Sequence, residues 1–116
     1  MKLALITGAT KGIGRSTAYT FAKAGWNLIL LARDLEKLQD LRNELSTTGA
    51  QINIVTCDLS QADKVDQHLN QCIKSYGCPT VVINNAGFAF NGELVTMPID
   101  KWQEIIQVNL TSVFQI

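Results

Sequence analysis

The sequence is short of the features that mark several protein classes. Its 116 residues include one histidine and three cysteines, and ten basic side chains balance ten acidic ones. A neutral chain excludes nucleic-acid recognition through a broad basic surface. No apolar run approaches the roughly 20 residues of a membrane span. Lys2 with Leu3-Ala4-Leu5-Ile6 imitates the start of a secretory signal, but Thr7 and Gly8 end the run before the roughly 7–15 apolar residues such a segment needs. Cys57, Cys72 and Cys78 cannot all pair within one chain, and none shows C-x-x-C spacing, so reduced thiols in a cytoplasmic protein are expected rather than a disulfide scaffold or zinc site. His68 falls among polar residues of a helical stretch, and no His, Cys and carboxylate cluster has metal-ligand spacing. Without repeats, low-complexity tracts or linkers, residues 1–116 are expected to form a single domain or part of one.

What the chain does have is alternation. Leu3-Ala4-Leu5-Ile6, Leu28–Ala32, Ile52–Val55 and Val81-Val82-Ile83 are short apolar runs without a polar face, as in strands buried on both sides. Helix-period stretches separate them. One runs from Arg15 to Ala24 and is stopped by Gly25. A second is capped by Asp34, carries Leu35, Leu38, Leu41 and Leu45, and is closed by Gly49. A third follows Ser60 and Asp63, an acidic variant of a capping box, and is expected to bury Val65, Leu69, Cys72, Ile73 and Tyr76 before Gly77. A last helix carries Trp102, Ile105, Ile106, Leu110 and Val113 on one side, after a loop holding Gly87 and Gly92. The β-α-β-α-β-α-β-α order predicts an α/β protein with a doubly wound, Rossmann-like parallel sheet of order 3-2-1-4, truncated after the helix that follows the fourth strand.

The first strand runs into Thr7-Gly8-Ala9-Thr10-Lys11-Gly12-Ile13-Gly14, and a helix follows. In such a turn Gly8 allows the tight reversal, Gly12 removes a Cβ from the path of a phosphate, and Gly14 permits close packing behind it. Free N–H groups and the helix dipole then favour a pyrophosphate. The G-x-x-x-G-x-G spacing departs from both G-x-G-x-x-G and the NTPase phosphate loop. At the end of the second strand, where an acid would bind a ribose hydroxyl and an arginine a 2′-phosphate, Arg33 comes first and Asp34 second. A guanidinium suits a phosphate dianion by charge and geometry, and Lys11 adds a second positive charge. NADP is therefore expected in preference to NAD.

These residues resemble the classical short-chain dehydrogenase/reductase family, and the likeness covers essentially the whole chain. Thr7–Gly14 matches the family's T-G-x-x-x-G-[IL]-G turn; Asp58-Leu59 matches its D-[LV]; Asn84-Asn85-Ala86-Gly87 matches its N-N-A-G; Val108-Asn109-Leu110 matches its V-N-[LV]. The resemblance implies that Gly8, Thr10, Lys11, Gly12, Ile13, Gly14 and Arg33 bind the phosphates of NADP. It further implies that Asp58 and Leu59 meet the adenine, and that Asn85, Ala86 and Gly87 line the nicotinamide-ribose side. Asn109 would be the catalytic residue present, holding a water in a proton relay. Its amide lies on an otherwise apolar helix face, where an unpartnered polar group costs roughly 1–3 kcal/mol.

The implied reaction is hydride transfer between the nicotinamide and a small-molecule alcohol or carbonyl substrate. The family's Ser and Tyr-x-x-x-Lys set lies downstream of the asparagine, beyond Ile116, so the fragment alone is expected to be inactive. Tyr19 and Lys23 share that spacing but sit on the first helix, where i,i+4 neighbours arise freely. A non-catalytic dinucleotide-binding or regulatory module is the main alternative. A methyltransferase-like binder is disfavoured by Arg33 standing where an acid is usual. In order 3-2-1-4 the fourth strand has a free edge, and Trp102, Ile106 or Phe114 is expected to be partly bare, so self-association is expected, with no nucleic-acid or membrane partner.

Overall fold

The computed structural model describes residues 1–116. Strands β1 (Leu3–Thr7), β2 (Asn27–Ala32), β3 (Ile52–Thr56) and β4 (Val81–Ile83) form one parallel sheet in the order β3-β2-β1-β4. Leu5 sits opposite Ile29 on one side and Val82 on the other, which fixes the register of the central pairs. Helices α1 (Gly12–Lys23), α2 (Leu35–Leu45) and α3 (Ala62–Tyr76) make the crossovers.

Successive side chains of a strand point to opposite faces, so each buried strand serves two cores. Ala4, Ile6, Leu28 and Leu30 pack on one face against Ala18 and Ala22 of α1 and Leu38, Leu41 and Leu45 of α2. Leu3, Leu5, Ile29 and Leu31 pack on the other against Val65, Leu69 and Cys72 of α3. Helices on both faces of a parallel sheet whose order reverses beside β1 make the fold Rossmann-like, as the alternation of the sequence predicts. No helix is long and apolar enough to cross a membrane.

Four details differ from the sequence reading. Helix α1 begins at Gly12 rather than Arg15, so two glycines of the turn lie inside its first turn. The expected capping box before α3 does not form. Gln61 holds the cap position without a side-chain bond, because the Ser60 hydroxyl donates to Asp58 at 2.8 Å instead. Ile73, expected in the core, is exposed, lining an open cleft beside Val82 of β4. The last helix is not continuous: α4 (Ile99–Ile106) opens into a π-type turn at Gln107–Thr111 before α5 (Ser112–Gln115). Trp102, Ile106, Leu110, Val113 and Phe114 are exposed along it.

Candidate functional site

The carboxyl ends of all four strands open into one cleft of about 1140 Å³. Its walls come from the turn after β1 (Gly8, Thr10, Lys11, Gly12, Ile13), the end of β2 and start of α2 (Arg33, Asp34, Glu36, Lys37), the segment after β3 (Cys57, Asp58, Leu59) and the segment after β4 (Asn85, Ala86, Gly87, Phe88). Crevices of open α/β sheets form where the chain reverses its direction of winding, here between β1 and β4.

The glycine turn is shaped for close approach. Gly8 and Gly12 have φ of +60° and +55°, a region unfavourable to side chains. A Cβ on Gly12 would meet nothing within 4 Å, so that position borders open space. Gly14 is different. It is buried beneath the turn rather than on the cleft, and a Cβ there would collide with the Gly8 carbonyl oxygen and lie 2.5 Å from Asn85 Nδ2. Helix α1 starts with no side-chain cap and no acid in its first turn, leaving its leading N–H groups and positive dipole end to the cleft.

Hydrogen bonds fix this turn against the segment after β4. The buried Thr7 Oγ1 accepts from the Asn85 and Ala86 N–H groups at 3.1 and 2.9 Å. Asn85 Nδ2 donates to the carbonyls of Thr7 and Gly8, both at 3.1 Å. Asn85 thus holds the turn as well as lining the cleft. Further along, Asn109 Oδ1 accepts from the Phe88 N–H at 3.0 Å, and Asn109 Nδ2 donates to the Phe88 carbonyl at 2.7 Å. Its amide is therefore satisfied by the loop backbone. The residue is exposed and does not itself line the cleft, and it keeps one N–H and one lone pair free.

At the opposite end the charges are sorted. Asp34 Oδ1 accepts from the Lys37 N–H at 3.1 Å and caps α2, so this carboxylate serves the helix. Arg33 and Lys11 face the cleft without an ion pair, since the molecule's two ion pairs join Arg15 to Glu44 and Lys101 to Glu104. Burial disfavours the Asp58 charge, but it is outweighed by the Ser60 N–H and hydroxyl, the Arg33 guanidinium and Gln61, which hold the carboxyl below the usual carboxylate range. Neighbouring Cys57 is pushed up to about 11 by its burial and by the Asp58 charge, which makes it an inert thiol at neutral pH.

Of the residues singled out in the sequence, the cleft gathers Gly8, Thr10, Lys11, Gly12, Ile13, Arg33, Asp58, Leu59, Asn85, Ala86 and Gly87; Gly14 and Asn109 do not line it, but the first packs on Gly8 and Asn85 and the second bonds to Phe88. Lys37 and Val108, not singled out from the sequence as site residues, line it as well, as does Phe88 of the loop after β4. Lys37 carried a signal, a cation in a helix's first turn, where the dipole prefers an acid. Tyr19 and Tyr76 do not line the cleft.

The short chain dehydrogenase family model matches residues 2–116. The 3-oxoacyl-(acyl-carrier-protein) reductase FabG of Staphylococcus epidermidis is 31% identical over 114 residues, covering 97% of this chain and 47% of that protein. Among solved structures, an alcohol dehydrogenase from the archaeon Thermococcus sibiricus, complexed with 5-hydroxy-NADP, superposes with a TM-score of 0.91 at 33% identity, over 99% of this chain and 49% of that one. A metagenomic short-chain oxidoreductase in complex with NADP superposes with a TM-score of 0.92 at 34% identity, over 98% of this chain and 52% of that one. The chain spans about half the length of these proteins. With the profile matching nearly every residue and the sheet order and cleft in agreement, the chain belongs to the short-chain dehydrogenase family.

Proposed function

We propose that the cleft binds NADP(H), and that residues 1–116 are the cofactor-binding part, one partial domain, of an oxidoreductase interconverting an alcohol and a carbonyl. The observation that carries this reading is the division of labour at the end of β2. Asp34 is turned to the helix it caps, while Arg33 and Lys11 face the cleft without a partner. Two unpaired cations beside a capless helix start suit a cofactor carrying both a pyrophosphate and a 2′-phosphate. NADP-bound relatives of the same fold support it.

In this reading Gly8, Thr10, Gly12, Ile13 and Gly14 form the pyrophosphate turn, and Lys11 and Arg33 hold the 2′-phosphate. Asp58, kept ionised by Ser60, accepts from the adenine amino group, with Leu59 beside it. Asn85, Ala86 and Gly87 bound the nicotinamide-ribose end. When bound, NADP(H) supplies the hydride-exchanging ring. Asn109 fixes the loop at Phe88 and has the remaining N–H and lone pair to hold one water. A general acid/base contributes about 10²–10⁴-fold to such reactions. Neither tyrosine of residues 1–116 lies on the cleft to do so. These residues alone are therefore proposed to bind cofactor without turnover, in a cytoplasmic, self-associating protein whose three thiols stay reduced.

Titration calorimetry tests the cofactor assignment. NADPH should bind more tightly than NADH, and Arg33→Asp should erase or reverse the preference; equal affinities, unmoved by that substitution, would sink it. An NADPH-consumption assay over ketones and aldehydes, comparing residues 1–116 with the full reading frame, tests the second claim. Turnover by residues 1–116 would refute it.

A further inference from the structure

We propose that Lys37 is a specificity-determining residue of the cleft, the third cation that a 2′-phosphate meets; this rests on the reading of the cleft as an NADP site. Lys37 lines the cleft together with Arg33 and Lys11. Its backbone N–H is held by Asp34, which fixes its place in the first turn of α2, yet its ammonium has no ion-pair partner. A positive side chain there faces the positive end of the helix dipole and is disfavoured by it. A bound anion removes the conflict.

The local charge balance makes Lys37 necessary. The β2–α2 junction brings Arg33 to the cleft, but also Asp34 and Glu36, two carboxylates against one guanidinium. The Arg33 charge in addition acts on the Asp58 carboxylate, which lines the same cleft. Glu104, the remaining acid of the lining, is paired with Lys101 at 3.1 Å. A phosphomonoester carries about −1.5 to −2 charges at neutral pH. A junction of net −1 would repel it. Lys37 brings the junction to two charges of each sign, and Lys11 from the glycine turn offsets the charge of Asp58. NADH lacks that phosphate, so the lysine discriminates between the cofactors without serving their shared parts.

The test measures NADPH and NADH affinities by titration calorimetry for the protein from its full reading frame, and for Lys37→Gln, Lys37→Arg and Arg33→Gln. Lys37→Gln should weaken NADPH binding about tenfold, the effect of losing one charge-assisted contact, and leave NADH within about twofold. Lys37→Arg should retain most of the NADPH affinity. Retained NADH binding also reports that the variant is folded. If Lys37→Gln leaves NADPH affinity unchanged while Arg33→Gln weakens it, the lysine assignment is wrong and the NADP reading stands. An equal loss for both cofactors would make Lys37 a structural residue and overturn the assignment. If the unmodified protein does not prefer NADPH and Arg33→Gln alters nothing, the NADP reading itself fails, and the inference with it.

Discussion

Strands β2 and β4 flank the same region of the sheet but are packed to different depths. Leu28, Ile29, Leu30 and Leu31 of β2 are at most 1% exposed, covered by α1 and α2 on one face and α3 on the other. In β4, Val82 is 39% exposed, and a second cleft of about 320 Å³ lies between β4, α3 and Ile116. The helical segment beyond β4 is held mainly by hydrogen bonds. Asn109 grips Phe88; Gln107 donates to the Leu59 carbonyl at 3.2 Å and to Gln115; Gln115 donates to Ala62 and Asp66. The glycine-turn end of the cleft is thus built on a close-packed support that fixes its geometry before a ligand arrives. Its other end rests on a thinner frame.

The sharpest test of that difference compares two truncations. Leu30→Ala should cost about 2–5 kcal/mol in urea unfolding. Val82→Ala, at a half-open site, should cost less than about 1 kcal/mol. Similar losses at the two sites would break the comparison. Gly14→Ala comes next: its Cβ collides with the Gly8 carbonyl oxygen and crowds Asn85, so a loss of about 1–3 kcal/mol is expected from overpacking. Gly12→Ala meets no atom and carries only the strain of a positive φ, so it should cost less. The two glycines look equivalent in sequence, and a reversed order would show that the turn relaxes.

The open side makes its own prediction. Leu110 and Phe114 are 65% and 91% exposed, on the same stretch as Trp102 and Val113. Exposed apolar side chains and a free strand edge both favour association. Light scattering on residues 1–116 should show oligomers, and Leu110→Ser with Phe114→Ser should weaken them with little change in the unfolding midpoint. A monodisperse monomer at high concentration would count against the proposed self-association.

The well-packed region is also the one the sequence made readable. Four short apolar runs separated by helix-period stretches force parallel strands with helices on both faces, and the glycines before α1 announce the turn. Where the structure departs from the reading, a local rule met a competing partner, near in the chain or brought near by folding. Ser60 has the identity of a cap, yet Asp58 lies two residues away and takes its hydroxyl. The π-type turn around Asn109 interrupts a helix whose spacing looks continuous, and its asparagine is matched to a backbone 21 residues away. Lys37 is marked in sequence only as a cation in a helix's first turn, and its place on the cleft is set when the strand ends assemble around it.

A smaller effect concerns Asp58. Its carboxyl ionises more readily folded than the ordinary value of 3.8, because Ser60, Arg33 and Gln61 outweigh its burial. The folded pKa is depressed, so its contribution is complete above the unfolded value and disappears as pH falls through the folded one. Asp58→Asn should therefore lower the unfolding midpoint at neutral pH and match the unmodified protein in strong acid. A difference that persists or grows in acid would show that Asp58 acts through shape rather than charge.

The smallest effect is expected at the residue whose spacing is most suggestive. Tyr19 and Lys23 imitate a catalytic tyrosine–lysine pair, and Lys23 Nζ lies 6.0 Å from the centre of the Tyr19 ring. That geometry places the cation over the ring face, whereas a catalytic lysine would lower the tyrosine's pKa through its hydroxyl. The hydroxyl instead bonds to Glu44, which is also paired with Arg15 at 2.5 Å. The bond to that carboxylate, with some burial and the Glu44 charge, raises the Tyr19 pKa and outweighs the opposing Arg15 charge. A general acid/base works best when its pKa lies near the working pH, so Tyr19 is shifted in the wrong direction. It is tied to the outer surface of α1 and α2, away from the cleft. Tyr19→Phe in the protein from the full reading frame should leave NADPH turnover and its pH profile unchanged, and a solvent-screened pair of this kind adds little to stability. A large fall in turnover with NADPH affinity intact would mean that the chemistry is done on this surface and that the cleft only stores the cofactor.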